Sequence, residues 1–338
     1  MTRSILCFGE VLLRLSAPGK QLLLQTGGLE AHVGGAEANV AVSLSRLGHR
    51  TAVATSLPDN ALGQACIGEL RRHGVDTSAV KFGDGRLGLY FLTHGAGQRP
   101  AEVLYDRAQS AFAIAPADTH DWNALLQDTQ WLHVSGITPA VSAAGADAAL
   151  RAMQAARAMN VNVSFDCNFR AKLWGARAPQ APEILGELCR HADLIFGDDR
   201  DLAFILGFDA GDVSAMEKRR RAAAVAFETF RSLRWIAYTE RTRHSVDSQQ
   251  LAGTLHTANE VFTTRPYPLQ GIVDRIGAGD AFAAGILHGL IRGMTPQATV
   301  DFATAAGCLK HTVPGDFNLL GAADIELFLS DVQTDVRR

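Results

Sequence analysis

WLHVSGITPAVSAAGADAALRAMQAARAMNVNVSFD, Trp131 to Asp166, holds two short apolar runs, WLHVSG and VNVSFD, on either side of an alanine-rich segment. The runs read as buried strands and the intervening SAAGADAALRAMQAARAMN as a helix, which makes the stretch one strand-helix-strand unit. The alternation continues through ADLIFG and RWIAYT. Repeated units of this kind build a mainly parallel sheet covered by helices on both faces. Ligands of such sheets gather in the crevice at the carboxyl ends of the strands.

Working outward, ILCFG reads as a further buried strand, and RTAVATS followed by ALGQACIGELRRHG repeats the strand-then-helix order. EVLLRLS and LLLQTGG read as exposed strands separated by the turn APGK. GLYFLTHG and PAEVLYDRA alternate aromatic and polar residues with no helix between them. These two non-helical zones, about 10–33 and 86–109, are placed to pair as a small sheet beside the main body. TPQATVDFATAAGCLKHTV reads as a packed final helix, and EKRRRAAAVAFETFR, Glu217 to Arg231, as a helix with a solvated basic edge.

The chain has 338 residues, 47% of them hydrophobic, and a net charge of −3, which disfavours both disorder and a broad polyanion-binding surface. The apolar run near the N-terminus is broken by Glu10 and Arg14, and no stretch reaches the roughly 18 apolar residues of a membrane span. A soluble cytoplasmic protein that binds neither nucleic acid nor membrane is expected. The five cysteines, Cys7, Cys66, Cys167, Cys189 and Cys308, are widely separated with no CxxC pair, and read as buried free thiols.

Two glycine-rich helix openings carry the chemistry. In IGAGDAFAAG, Ile276 to Gly285, a turn of Gly277, Ala278 and Gly279 runs into Asp280. A helix N-terminus presents unpaired amides and a positive dipole end, which suit a phosphoryl group. Asp280 there either complements the dipole or acts as a general base, taking a hydroxyl proton while the oxygen attacks phosphorus. In GGAEAN, Gly34 and Gly35 form a flexible loop that admits a ligand hydroxyl close to the backbone. Asn39 follows, either as an early-helix polar residue or as a donor and acceptor for that ligand.

Taken together, GGAEANVAVSLSRLG and VDRIGAGDAFAAGILHGL resemble the N-terminal and C-terminal signatures of the ribokinase-like (PfkB) carbohydrate kinases, in the expected order and separation. The resemblance spans the chain from FGEVLLRL to about PGDFN. It implies one α/β kinase domain over residues 1–338, a ribokinase-like doubly wound, mainly parallel sheet with helices on both faces. The small β-sheet formed by 10–33 and 86–109 would be its lid. It implies Asp280 as catalytic base, the Gly277, Ala278 and Gly279 amides as anion hole, and ATP with Mg2+ as phosphoryl donor. A P-loop kinase and a dinucleotide-binding dehydrogenase are disfavoured, because the chain has neither GxxxxGK[ST] nor GxGxxG after the first strand.

Within that family, GLYFLTHGAGQRPAEVLYDRAQSAF and FDCNFRAKLW look most like the 2-keto-3-deoxygluconate kinases. The similarity implies that Gly34, Tyr90, Tyr105, Arg107 and Arg170 hold the substrate, alongside Gly35 and Asn39, with Arg170 on a sugar carboxylate. Guanidinium forks match carboxylate or phosphate oxygens. Asn168 would sit nearer the nucleotide phosphates, with Asp198, Thr239, Arg241, Gly277 and Gly279. The chain departs from the family pattern where Asn-x-x-Glu is usual: Asp198-Asp199-Arg200-Asp201 stands there. Asp198 and Asp201 either order magnesium waters or cap the helix that begins at DLAFILG. The usual glycine-containing nucleotide loop is replaced by YTERTRHSVDSQQ. A homodimer paired through the lid is expected, because an isolated small sheet leaves edges and an apolar face to cover. A kinase for a neutral sugar or nucleoside and a non-catalytic sugar-binding regulator remain as alternatives.

Overall fold

The computed structural model describes residues 4–330. In chain order its strands are β1 (Ser4–Phe8), β2 (Leu12–Ser16), β3 (Glu30–Gly34), β4 (Thr51–Pro58), β5 (Val80–Gly83), β6 (Gly88–Thr93) and β7 (Glu102–Asp106). They continue as β8 (Thr129–Ser135), β9 (Asn162–Asp166), β10 (Leu194–Phe196), β11 (Trp235–Arg243), β12 (Ser248–His256), β13 (Val261–Thr263) and β14 (Tyr267–Gln270). The large sheet runs β13-β12-β11-β10-β9-β8-β1-β4-β5, with β14 paired to β12. From β11 to β5 every pairing is parallel, and β12 to β14 join antiparallel at one end.

The period of two along β1 divides the molecule into two cores. Leu6 and Phe8 face one side, with Met153 and Leu185 from the helices Ala143–Ala158 and Ala181–Cys189. Ile5 and Cys7 face the other, with Val40 from the helix Ala36–Arg46 and Phe282 and Val300 from the helices Ala278–Arg292 and Pro296–Lys310. Strands buried on both faces read as continuous apolar runs, which is how WLHVSG and its counterparts were recognisable. All five cysteines are buried free thiols.

The small sheet is separate, ordered β3-β2-β6-β7. Its parallel β2-β6 pair is flanked by antiparallel partners, and the register sets His32, Arg14, Tyr90 and Tyr105 side by side across one face. That face meets the main body through Arg14 and Tyr90. The doubly wound α/β reading with a separate small sheet therefore holds.

Three local expectations are corrected. LLLQTGG forms no strand: Leu22 and Leu24 are exposed, and Leu24 has φ 62°. The partner of β2 is Glu30–Gly34, which follows the Gly27-Gly28 break. EVLLRLS is exposed on one face only: β2 lies between two neighbours, Leu13 and Leu15 are half-buried, and Arg14 on the other face is only 1% exposed. The TPQATV helix is not the last, since Ala322–Leu329 follows and packs Ile325 against Phe302 and Ala305. Among the described residues, no helix is long and apolar enough to cross a membrane.

The helices Ala278–Arg292 and Pro296–Lys310 approach closely because small residues face each other. A Cβ on Gly285 would lie 2.5 Å from Ala303 Cα. Gly285→Val is therefore expected to push the helices apart and cost about 1–3 kcal/mol. A lower urea midpoint with unchanged slope would register this.

Candidate active site

The turn before the Ala278–Arg292 helix is shaped by a missing side chain. Gly277, its N-cap, has φ 79°, and a Cβ there would fall 1.9 Å from the Asp316 carbonyl oxygen. Only glycine satisfies both the left-handed backbone and the contact. The first-turn amides have no preceding carbonyl to bind. A Cβ on Gly279 would meet nothing within 4 Å, so the turn opens onto free space.

Asp280 sits in that first turn, and its Oδ2 accepts a hydrogen bond from Asn39 Nδ2 at 2.6 Å. Asn39 comes from the first turn of the Ala36–Arg46 helix, so the two glycine-rich openings meet at this bond. Gly35, with φ 139°, lets its own turn pass Glu10, whose carbonyl oxygen would be 2.2 Å from a Cβ. Desolvation pushes the Asp280 carboxyl up to about 7; Asn39 and Arg170 oppose the rise, and Asp316 and Glu37 add to it. A carboxyl poised near neutrality can take a proton and release it again.

Beside it lies a buried charge network. Arg14 Nη2 is 2.7 Å from Asp274 Oδ2, and its Nη1 is 3.2 Å from Asp316 Oδ1. Tyr90 donates to Asp316 Oδ2 at 2.7 Å. Asp274 also accepts from the amides of Ile276 and Gly315. A Cβ on Gly34 would lie 2.3 Å from Asp316 Oδ2, so this glycine also leaves room for a carboxylate. Burial raises the Asp316 carboxyl to about 6, against the pull of Arg14 and Tyr90. A cavity of about 330 Å³ extends from Arg14 and Asp274 under the small sheet, past His32, His94 and Arg275.

On the other side of Gly279, at the carboxyl ends of β9 and β10 and beside the middle of β11, a groove of about 230 Å³ is lined by Asp166, Asn168, Arg170, Asp198, Asp201 and Thr239. Asn168 has φ 32°, and its buried Oδ1 has no hydrogen-bond partner among the described residues. Asp166 is pushed up to about 8 by burial and by the Asp280 charge, with Arg170 opposing. Arg170 is exposed and its guanidinium makes no hydrogen bond or ion pair with any described residue, which leaves its fork free for an anion.

The remaining candidates are placed differently. Arg107 is buried, and its Nε bonds Glu10 Oε2 at 2.6 Å, so part of its fork is already occupied. Tyr105 stands opposite Tyr90 in the small sheet. Arg241 is held by Gln249 and His311 and lines an outer cavity of about 380 Å³ with Thr239 and Asp198. Asp198 and Asp201 form a capping box on the helix Asp199–Leu206, where Asp198 accepts from the amides of Arg200 and Asp201 and Asp201 accepts from that of Asp198. Sequence reasoning passed over Asp316, Asp166, Arg14, Asp274, Glu10 and Glu37. The available signals were the acids at a strand end in FDCNF and inside the PGD turn.

The groove suits a hard cation that arrives with phosphates. Asp166, Asp198, Asp201 and the orphaned Asn168 Oδ1 present oxygens, while no group of three or more acidic, histidine or cysteine ligands among the described residues forms a cage. Magnesium is commonly held this way, by one or two carboxylates plus substrate phosphates.

The sequence profile of the pfkB family of carbohydrate kinases matches residues 2–320. A 2-dehydro-3-deoxygalactonokinase of Haloferax volcanii is 33% identical over 97% of each chain. The crystal structure of a 2-dehydro-3-deoxygluconokinase from Thermotoga maritima superposes with a TM-score of 0.92 at 35% identity, covering 97% of this chain and 99% of that one. A PfkB family carbohydrate kinase from Listeria grayi gives a TM-score of 0.91 at 35% identity, over 97% and 100% of the chains.

The Asn39 bond favours the ionised form of Asp280, so its loss must raise the carboxyl's midpoint. Asn39→Ala is expected to move the Asp280 titration upward from about 7. Carbon-13 NMR of the side-chain carboxyl would show this, and an unchanged midpoint would remove Asn39 as a control on Asp280.

Proposed function

The chain belongs to the pfkB family of carbohydrate kinases, and from that premise we propose that it transfers the γ-phosphoryl group of ATP to the primary hydroxyl of 2-keto-3-deoxygluconate, giving 2-keto-3-deoxy-6-phosphogluconate. The observation that carries the chemistry is Asp280, a carboxyl near neutrality in the first turn of a helix whose amides open beside it. The observation that carries the substrate class is the free guanidinium of Arg170, together with relatives named for 2-dehydro-3-deoxy sugar acids.

In this reading Asp280 takes the hydroxyl proton as the sugar oxygen bonds to the γ-phosphorus. The bond from that phosphorus to the bridging oxygen breaks, and its electrons leave with ADP. Asn39 keeps one carboxylate oxygen oriented, so the proton is received at the other. The Gly277, Ala278 and Gly279 amides face the charge on the transferred group, a preorganised arrangement that needs no rearrangement during reaction. Gly34, Gly35 and Tyr90 border the sugar, with Tyr105 on the small sheet behind and Arg107 just past its last strand, and Arg170 meets the carboxylate. Asn168, Thr239 and Arg241 lie toward the nucleotide. Magnesium, when bound, supplies neutralising charge at the phosphates; Asp166, Asp198 and Asp201 are the oxygens that would hold it or its waters.

The C4 epimer, 2-keto-3-deoxygalactonate, is a second reading, favoured by the Haloferax volcanii relative. An ATP-coupled screen of both sugar acids, fructose, ribose and a nucleoside separates these outcomes. Asp280→Asn is expected to lower kcat by about 100- to 10,000-fold with an unchanged far-ultraviolet dichroism spectrum. Arg170→Ala should raise KM for the sugar acid far more than for a neutral sugar. Equal losses on both would contradict a carboxylate contact.

We place the working enzyme in the cytoplasm as a homodimer. The outer face of the small sheet aligns Leu13, Leu15, Leu89, Phe91 and Leu104, all at least partly exposed, and a second copy would cover them. Leu104→Lys should therefore convert a dimer to a monomer in light scattering after size exclusion. A wild-type chain that is monomeric at all concentrations would exclude the pairing.

A further inference from the structure

Lys310 closes the Pro296–Lys310 helix with a side chain that is 0% exposed. Lysine is almost never fully buried without a reason, because its ammonium loses its hydration. The nearest chemistry is the Asp280 turn: a Cβ on Gly277 would lie 3.3 Å from Lys310 Cε, beside the Asp316 carbonyl. The ammonium donates to Val313 O at 2.9 Å, folding the chain back toward the Pro314-Gly315-Asp316 turn. That turn is tied in by the Gly315 amide on Asp274, while the Val273 and Asp274 amides bond His311 O. Lys310 thus lies where the two catalytic-side turns and the Arg14 network meet.

We propose that Lys310 is a positioning residue for phosphoryl transfer, a cation built into the chain that holds the Gly277 turn against the Asp316 turn and supplies positive charge behind the anion hole. The proposal rests on the reading of Asp280 and the Gly277–Gly279 amides as the reacting groups. Its charge is placed to act through space, since Lys310 forms no ion pair within 4 Å among the described residues. The groups facing it are Asp274, Asp280, Asp316 and Arg14, with His311 adjacent in sequence. The three carboxylates favour the ammonium, and Arg14 and burial oppose it; burial dominates and lowers its midpoint to about 8. The sign follows directly. Below about pH 8 the charge is present, and above it the charge is lost with the proton.

A hydrocarbon of similar length filling the same space would keep the packing and remove the charge, which makes Lys310→Met the informative variant. Turnover of wild type and Lys310→Met is measured from pH 5.5 to 9.5 with whichever sugar acid the enzyme phosphorylates, and folding is followed by dichroism at each pH. Wild type is expected to lose kcat above about pH 8 while staying folded. Lys310→Met is expected to show a kcat lower by about 10- to 100-fold, sugar KM within about twofold, no alkaline fall, and an acid limb displaced upward, because a cation no longer favours ionised Asp280. Unchanged kcat and limbs in a folded Lys310→Met would overturn the proposal. If that variant does not fold, the intact enzyme still decides: a wild-type kcat that is flat to pH 9.5 overturns it. Failure here is separable from failure of the catalytic reading, because an active Asp280→Asn removes the latter whatever Lys310 does.

Discussion

A guanidinium with 1% exposure, Arg14 between Asp274 and Asp316, is the joint on which the molecule turns. Arg14 belongs to the small sheet, Asp274 to the turn that leads into the Ala278–Arg292 helix, and Asp316 to the turn that packs on Gly277. Removing one partner of such a buried pair strands the other charge, at a cost of about 3–5 kcal/mol. The small sheet cannot shift relative to the Asp280 turn without disturbing that network. Tyr90 adds a second tie from the same sheet to the same carboxylate.

Burial, against the pull of Arg14 and Arg170, explains why several carboxyls here sit above their ordinary range. Asp166, Asp280 and Asp316 are each raised first by desolvation, and Asp280 adds to the first while Asp316 adds to the second. Too few cations are buried among them to hold all three fully ionised at neutral pH. Such crowding is unfavourable for folding alone, and perturbed carboxyls gathered in a cleft are a common mark of a functional site.

The strand-helix alternation was legible because it is local: continuous apolar runs for strands buried on both faces, and alanine-rich helical segments between them. The two helix openings were legible for the same reason, since a glycine turn followed by a polar residue is written within a few positions. LLLQTGG misled because its leucines match a strand by composition, while strand formation depends on which segment pairs with β2. Asp198 and Asp201 were ambiguous in sequence because capping and metal binding favour the same residues, and their carboxylates are engaged with the first-turn amides.

The sequence by itself determined the parallel sheet, the separate small sheet, the glycine turn at 277–279, and Asp280 as the acid to watch. Only the tertiary structure decided who stands beside that acid. Asn39 and Asp280 are 241 residues apart, and Tyr90 and Asp316 are 226 apart. No local pattern encodes such pairs, because they follow from how strands are ordered and helices packed. The burial of Arg14 and Lys310 was hidden for the same reason: in sequence each reads as an ordinary surface charge, and desolvation exists only once the chain has closed around it.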